Sequence, residues 1–394
     1  MSGESRVPRV LVLVCDSFGV GDAPDAAAYG DEGSDTIGNC SRAVGGLRAP
    51  HLGALGLGFL TDVKGVDPRA ERGTAHGRLT EQSAGKDTTT GHWEMMGIVL
   101  DRPFPLYPDG FPPEVIDPFE QEIGRSVLGN RPASGTEIIK ELGEEHLRTG
   151  RPIVYTSGDS VFQIACHKDV VPLETLYGWC GVARGILTGE YNVGRVIARP
   201  FAGQAGSFVR THERRDFSLP PPGPTVLDHC RGAGVAVYGV GKIQDIFSGR
   251  GLTEARYSES DDDGVDITLE YLGRPGRSLV FTNLVDFDSK YGHRNDPKGY
   301  AACMEALDAR IPEILAALDG GVMLLTGDHG CDPTTPSTDH SRELTPMLAA
   351  GLPGGPHDVG TRGTFADLGA TVSDLLGVEV GGLAGESFAR ELGL

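Results

Sequence analysis

The stretch GVMLLTGDHGCDPTTPSTDHSRE, residues 321–343, joins an apolar run to a group of candidate metal ligands. The run from Val322 to Leu325 has the length and composition of a buried β-strand. Asp328 and His329 follow shortly after it, and His340 lies eleven residues beyond His329. Oxygen and nitrogen ligands together suit borderline divalent ions such as zinc or manganese. Taken alone, the stretch also fits a helix-capping aspartate beside two polar loop histidines.

Two further apolar runs end in the same way. Residues 9–15 are nearly all apolar and lead into Asp16, and residues 278–287 predict a strand followed by Asp288 and His293. Such continuous apolar strands indicate a parallel sheet that is buried on both faces. The carboxyl ends of parallel strands share one edge, which is where open α/β sheets bind ligands. The sequence therefore predicts two three-ligand metal sites of the kind used in phosphoryl transfer, built from Asp16, Asp288, His293, Asp328, His329 and His340.

A hydroxyl-rich segment, Lys86-Asp87-Thr88-Thr89-Thr90, precedes the sequence GHWEMMG and is expected to open a helix. A hydroxyl at a helix N-terminus is well placed to hold a phosphoryl group, because free backbone amides and the helix dipole favour an anion there. An ordinary threonine cap fits the local sequence equally well.

Two proline-rich joints divide the chain. The first begins with DRPFPLYPDG at residue 101, and the second is FSLPPPGPT at residues 217–225. Strands and helices alternate before the first joint and again after the second, which is typical of a parallel α/β fold. We predict an α/β core with a largely parallel sheet from residues 1–101 and 221–394. Residues 102–220 are expected to form an inserted, smaller α+β cap domain.

The composition excludes several classes of protein. The chain of 394 residues has a formal net charge of −20, which argues against a nucleic-acid partner or an anionic membrane surface. An anionic substrate is still compatible, because bound divalent ions reverse the local charge. The seven cysteines are scattered without a CxxC pair, and no apolar run reaches transmembrane length. These features favour a cytoplasmic protein.

The motifs together resemble the phosphopentomutase family of the alkaline phosphatase superfamily. The resemblance runs nearly from end to end, and its two most specific strings are GKDTTTGHWE and VDFDSKYGHR. One departure adjoins the candidate ligands, since Cys331 stands where asparagine is usual. The other matching strings are VCDSFGVGDAPDA, GSDTIG, YTSGDSVFQIACH, VGRVIARPF, GKIQDIF, GDHGCDPT and STDHSRE.

This resemblance implies an alkaline phosphatase-like core and a role for each matching residue. Thr88 would be the phosphorylated nucleophile. Asp16, Asp328 and His329, with Thr88, would hold one manganese ion, and Asp288, His293 and His340 would hold the other. The distal part of a sugar phosphate would contact Ser157, Asp159, Arg195, Val196, Ile197 and Lys242.

The reaction implied by the resemblance interconverts ribose 1-phosphate and ribose 5-phosphate, and the corresponding 2-deoxyribose pair. It would use two Mn²⁺ or other divalent ions per chain, a sugar bisphosphate activator and small-molecule sugar phosphates as substrates, with no nucleic acid or membrane partner. The alternative is a metal-dependent phosphatase or phosphodiesterase with the same metals and nucleophile, in which water discharges Thr88. A closed cap favours the mutase, because it excludes water from a reactive intermediate.

Overall fold

A computed structural model describes residues 7–157 and 160–394. The chain divides into two compact units: a core unit, Met1–Pro103 with Pro221–Leu394, and an inserted unit, Phe104–Pro220. The strands of the described residues are, in chain order, β1 Arg9–Cys15, β2 Thr74–Leu79, β3 Leu128–Pro132, β4 Ile153–Thr156, β5 Val161–His167, β6 Arg195–Ala202, β7 Val209–Arg210, β8 Arg215–Ser218, β9 Ala236–Val240, β10 Glu254–Arg256, β11 Ser278–Leu284, β12 Val322–Thr326, β13 Thr345–Ala350 and β14 His357–Arg362.

The α-helices of the same residues are α1 Ala26–Tyr29, α2 Thr36–Val44, α3 Pro50–Leu55, α4 Thr88–Met95, α5 Pro113–Ile123, α6 Gly135–Thr149, α7 Leu173–Ile186, α8 Val226–Gly232, α9 Ile243–Ile246, α10 Asp261–Leu272, α11 Pro297–Ala317 and α12 Ala366–Leu375. None of them is long and apolar enough to cross a membrane.

The core unit is built on an eight-stranded sheet in the order β10-β9-β11-β1-β12-β13-β2-β14. The strands from β10 to β12 run parallel, and β13 is antiparallel to both of its neighbours. The predicted α/β core with a largely parallel sheet is therefore confirmed. The neighbours β11, β1 and β12 lie in its centre, and the sheet register pairs Cys15 with Leu284 and Val14 with Thr326. Their carboxyl ends consequently lie side by side.

The central strands are buried on both faces. In β1, Leu11 and Leu13 join an apolar cluster with residues of α2, α3, α10 and α11, while Val10 and Val12 point to the opposite face and are equally buried. This two-sided burial explains why the sequence of β1 is continuously apolar rather than alternating. Strand β11 is shorter than the strand predicted at residues 278–287. It ends at Leu284, and residues Phe287–Tyr291 form a π-helical turn.

The inserted unit has its own sheet and its own core. Its strands lie in the order β3-β4-β5-β6-β7, with β8 also paired to β6, and the pairings are partly parallel and partly antiparallel. One apolar cluster joins the sheet to α5 and α7, and a second joins it to α6. The inserted unit is thus a small α+β structure with helices on both faces of the sheet.

Candidate metal centre and nucleophile

The three central strands carry their polar side chains to one edge of the core unit. Asp16 follows β1 directly, Asp328 and His329 follow β12 after one glycine, and Asp288 lies in the π-helical turn beyond β11. These four residues are between 0% and 3% exposed, which is unusual for charged side chains outside functional or ion-paired sites. The parallel register of the strands, rather than any local sequence contact, therefore assembles the centre.

The first group consists of Asp16, Asp328 and His329, whose nearest potential ligand atoms all lie within 4.8 Å of one another. His329 Nε2 is 3.4 Å from Asp16 Oδ1 and 3.4 Å from Asp328 Oδ2. Its other ring nitrogen, Nδ1, lies 3.0 Å from the carbonyl oxygen of Gly330, which fixes the ring with Nε2 toward the carboxylates. Such an outer hydrogen bond is typical of histidines that bind a metal.

The second group forms around Asp288. His293 Nε2 is 3.4 Å from Asp288 Oδ2, and His340 Nε2 is 3.5 Å from Asp288 Oδ1. The two histidines face each other, with their Nε2 atoms 3.1 Å apart, and His293 Nδ1 lies 2.7 Å from the carbonyl oxygen of Thr338. His329 is also within 4.8 Å of the ligand atoms of Asp288 and His340, so the two groups adjoin. The structure thus brings together all six side chains that the sequence predicted as ligands.

The chemistry of these donors fits divalent cations. Asp16 Oδ1, Asp288 Oδ1 and Asp328 Oδ2 are buried and accept no hydrogen bond from the described residues. A buried carboxylate oxygen without a partner is costly, and a bound cation would supply the missing interaction. Burial alone would raise the pKa of Asp16, but Lys242 and His329 outweigh it and hold that pKa well below its ordinary value.

Burial and neighbouring charges also oppose each other at His329 and Asp288. Burial opposes a charge on His329, but Asp328 and Asp16 outweigh it and raise the pKa of that imidazole well above its usual range. Burial and Asp16 oppose ionisation of Asp288, yet His340 and Lys242 lower its pKa to about 2. The aspartates are therefore favoured as charged carboxylates, and their negative charge favours a positive charge beside them.

Thr88, the candidate nucleophile, is the first residue of α4. Its Oγ1 lies 3.2 Å from His329 Nε2, beside the first ligand group. The side chain of Asp87 caps the helix by accepting hydrogen bonds from the amides of Thr89 and Thr90, each at 3.1 Å. Thr90 also donates its hydroxyl to Asp87, so its side chain is engaged in the cap. Thr88 is therefore the threonine of the three that contacts a candidate metal ligand.

The position of α4 depends on a close approach between backbones. A Cβ atom at Gly91 would lie 2.3 Å from the carbonyl oxygen of Asp328, so only glycine lets the helix pack against the end of β12. One turn further, the buried His92 places Nδ1 2.8 Å from the carbonyl oxygen of Thr88 and 3.3 Å from Asp328 Oδ2. His92 therefore links the nucleophile helix to a ligand carboxylate.

Sequence reasoning missed His92 and Asn283. Asn283 Nδ2 donates to Asp16 Oδ2 over 3.3 Å from within β11. A polar residue inside the apolar run FTNLV could have drawn attention to Asn283. Nothing comparable marks His92, since its role depends on how α4 packs against β12.

The predicted substrate residues lie in different places. Lys242 Nζ is 2.9 Å from Asp16 Oδ2 and 4.0 Å from Asp288 Oδ2, so it lies beside the ligand groups. In the inserted unit, Ser157 follows β4, and Arg195, Val196 and Ile197 begin β6. Val196 belongs to the apolar core of that unit, and Arg195 lies 3.6 Å from Asp216. Asp159 lies outside the described residues. Cys331 is buried, with Sγ 4.0 Å from His293 Nδ1.

The comparison with known proteins first gives the class. A family model described as the Metalloenzyme superfamily matches residues 8–380, so the protein is a member of that superfamily. Among solved structures, the PH0037 protein of Pyrococcus horikoshii aligns with 96% of this chain and 100% of its own, at a TM-score of 0.49 and 16% identity. A phosphoglycerate mutase of Leishmania mexicana covers 96% of both chains at a TM-score of 0.49 and 14% identity.

Curated relatives then give the family. A phosphopentomutase of Anaeromyxobacter dehalogenans (strain 2CP-C) is 59% identical over 386 residues, which is 98% of both chains. A phosphopentomutase of Kosmotoga olearia is 56% identical over 374 residues, covering 94% of this chain and 96% of the relative. The chain belongs to the phosphopentomutase family and is an isomerase that transfers a phosphoryl group within its substrate.

Proposed function

We propose that this enzyme interconverts ribose 1-phosphate and ribose 5-phosphate, and the 2-deoxyribose pair, by way of a phosphorylated Thr88. The observation that carries the proposal is the 3.2 Å contact between Thr88 Oγ1 and His329 Nε2, at the edge where six candidate ligands converge. The names of the relatives, at 53–59% identity over nearly the whole chain, support the same reaction.

Two Mn²⁺ ions fit the ligand sets. Asp16, Asp328 and His329, together with Thr88, would hold one ion. The other would be held by Asp288, His293 and His340. Bound divalent ions supply activation of a hydroxyl nucleophile and neutralise charge on the transferring phosphoryl oxygens.

The chain itself contributes the position of the nucleophile. A free threonine hydroxyl is a poor nucleophile at neutral pH, so it must be held in place and activated by its surroundings. The helix N-cap made by Asp87 and the close packing of Gly91 against the end of β12 hold Thr88 beside His329. Because Asp87 already occupies the amides of Thr89 and Thr90, these amides do not serve as donors to a phosphoryl group.

The phosphoryl group would then move between Thr88 and the sugar. The bond between phosphorus and Thr88 Oγ1 breaks as a bond forms to the free hydroxyl of the sugar monophosphate, which gives a bisphosphate. The bisphosphate turns around and returns its other phosphoryl group to Thr88, which releases the isomer. A sugar bisphosphate should therefore charge resting enzyme. Lys242, beside Asp16, is suited to meet the charge of a phosphoryl group at this edge.

We propose that the inserted unit acts as a cap over the substrate. It would bind the distal part of the sugar phosphate through Ser157, Asp159, Arg195, Val196 and Ile197. The exclusion of water by such a cap is what separates a mutase from a metal-dependent phosphatase or phosphodiesterase. The compactness of residues 104–220 and their separate apolar cores support a unit of this kind.

The test is to incubate the enzyme with Mn²⁺, ribose 1-phosphate and a catalytic amount of sugar bisphosphate. We expect ribose 5-phosphate to form without a matching release of free phosphate. Thr88→Val should abolish the conversion with the manganese content retained in part, whereas Thr89→Val, the matched control, should keep it. Mass spectrometry after treatment with the bisphosphate should locate the phosphate on Thr88. Release of free phosphate as the main product would instead support the phosphatase. An active Thr88→Val enzyme would exclude the phosphothreonine route.

A further inference from the structure

The inserted unit contains a second place where hydrogen-bond donors converge, at the beginning of α6. This helix has fifteen residues, Gly135–Thr149, and its N-cap residue Ser134 makes no side-chain capping hydrogen bond. The first amides of a helix have no partner within the helix, and they carry the positive end of its dipole. The first amides of α6 therefore have no side-chain acceptor at the N-cap.

The Tyr155 hydroxyl provides an independent observation at the same place. Tyr155 is 1% exposed, and its Oη has no hydrogen-bond partner among the described residues. A Cβ atom built on Gly135 would lie 2.6 Å from Tyr155 Oη, so the hydroxyl points at the first residue of α6. Glycine at position 135 leaves this space open. A buried phenol without a partner is costly, and it is expected where a ligand completes the hydrogen bonding.

Two guanidinium groups complete the set of donors. Arg210 Nη1 lies 3.5 Å from the same built Cβ position on Gly135, and the Arg210 side chain pairs with no carboxylate of the described residues. Arg199 is half-buried, and among the described residues its guanidinium donates from Nε alone, to Gln163 Oε1 over 3.1 Å. Gln163 is the register partner of Tyr155 in the sheet, which places Arg199 on the same side. Burial and the neighbouring Arg214 lower the pKa of Arg199 to about 10, which leaves it charged at neutral pH.

The carboxylates near the start of α6 are already paired with basic side chains. Asp216 receives two hydrogen bonds from Arg214, at 2.7 Å each, and lies 3.6 Å from Arg195. Glu137, in the first turn of α6, is exposed and pairs with Lys140. Neither Arg199 nor Arg210 forms a direct ion pair within the described residues, so both guanidinium groups keep N–H donors beside the phenol and the helix N-terminus. These three kinds of donor suit a tetrahedral oxyanion.

We propose that Arg210, Arg199, the Tyr155 hydroxyl and the first turn of α6 form a binding site for a phosphate group. Two sources share this chemistry: the distal phosphoryl group of a sugar phosphate or bisphosphate, and free inorganic phosphate. The assignment of the first source rests on the proposed function, whereas the existence of the site does not.

Inorganic phosphate is the probe for the site. Isothermal titration of the manganese-loaded full chain should show a class of phosphate sites that Arg210→Gln weakens about tenfold or more, because a charge-assisted, potentially bidentate contact is lost. Tyr155→Phe keeps the aromatic ring and its packing, and it should weaken phosphate binding by a smaller but measurable factor. Arg215→Gln is the matched control, because Arg215 lies over Tyr177 and Phe217 and makes the same change of charge elsewhere in the unit.

Steady-state kinetics separate the two sources. If the site holds the distal phosphoryl group, Arg210→Gln raises the KM for ribose 5-phosphate by a factor similar to its loss of phosphate affinity. If the site holds separate inorganic phosphate, KM stays constant while phosphate affinity falls. Unchanged phosphate affinity in both Arg210→Gln and Tyr155→Phe, with native circular dichroism, would overturn the site. The titration needs no turnover, so this failure is distinct from a failure of the proposed reaction.

Discussion

Arg342 is the most heavily bonded buried cation among the described residues, and its replacement tests how the loop before Thr88 is held. Its side chain is 2% exposed. Nη1 donates to Glu81 Oε2 at 2.7 Å and to the carbonyl oxygens of Ser83 and Gly85 at 2.8 and 2.7 Å, and Nη2 donates to the carbonyl oxygen of Glu81 at 2.7 Å. The segment that this guanidinium holds ends three residues before Thr88.

We expect Arg342→Met to destabilise the core unit by about 3–5 kcal/mol, the usual cost of removing one partner from a buried ion pair. Methionine has a similar length, so the loss arises mainly from the buried carboxyl of Glu81, whose pKa burial raises well above its usual range, and from carbonyl oxygens left without a donor. Glu81→Gln removes the first contribution. The double variant Arg342→Met/Glu81→Gln should therefore be less destabilised than the sum of the two single variants, by at least about 1 kcal/mol.

Urea unfolding followed by circular dichroism measures these differences through the transition midpoint and slope. Arg256→Met is the control, because Arg256 pairs with Glu270 on the surface and such pairs contribute about 0–1 kcal/mol. A loss below about 1 kcal/mol for Arg342→Met, or strict additivity with Glu81→Gln, would refute the reasoning.

Three other predictions follow from single contacts. Asp328→Asn should lower the manganese content measured by mass spectrometry of the metal, since it removes a ligand carboxylate; unchanged stoichiometry would contradict the ligand assignment. Gly91→Ala should lower both the melting temperature and the mutase activity, because its Cβ would meet the carbonyl oxygen of Asp328 at 2.3 Å, and a wild-type melting curve would contradict this. Burial lowers the pKa of His146 from 6.5, and its Nε2 accepts from the His167 amide, so the folded state binds this proton less readily than the unfolded chain. Its contribution to the stability of the inserted unit is therefore present above pH 6.5 and lost as the pH falls below it, which melting curves at about pH 8 and about pH 5 should show and His146→Asn should flatten.

The central strands could be predicted because two-sided burial leaves a clear signal. Residues of β1 and β12 that are fully buried form unbroken apolar runs, so the aspartates just beyond them were recognisable as strand-end residues. The strands β2 and β14 left no such signal. Their sequences, TAHGRL and HDVGTR, are polar and lie toward the edge of the sheet, where partners in the sheet rather than apolar patterning define them.

The turn that carries Asp288 shows a different limit. The apolar character of residues 278–287 continues past Leu284, so the strand was predicted three residues too long. The ladder stops there, and a π-helical turn begins at Phe287, whose ring packs against Phe18 and Tyr300. Tertiary packing, which the local pattern does not encode, keeps Phe287 buried outside the strand. Asp288 was still predicted as a candidate ligand, because that prediction depended only on its position beyond the strand.

The way in which the three aspartates are held explains why burial and metal binding coincide at this edge. Asp328 Oδ1 accepts a hydrogen bond from the Ser17 amide, and Asp16 Oδ2 accepts hydrogen bonds from Lys242 and Asn283. The second carboxylate oxygen of each aspartate has no hydrogen-bond partner among the described residues. Asp288 likewise keeps Oδ1 without such a partner. A carboxylate that served packing alone would be expected to have both oxygens satisfied, because an orphaned buried acceptor costs free energy. One oxygen thus fixes the orientation of Asp16 and of Asp328, and the other remains available to a cation. This division of roles depends on which donors surround each carboxylate, so the sequence could predict which aspartates meet but not how each one is oriented.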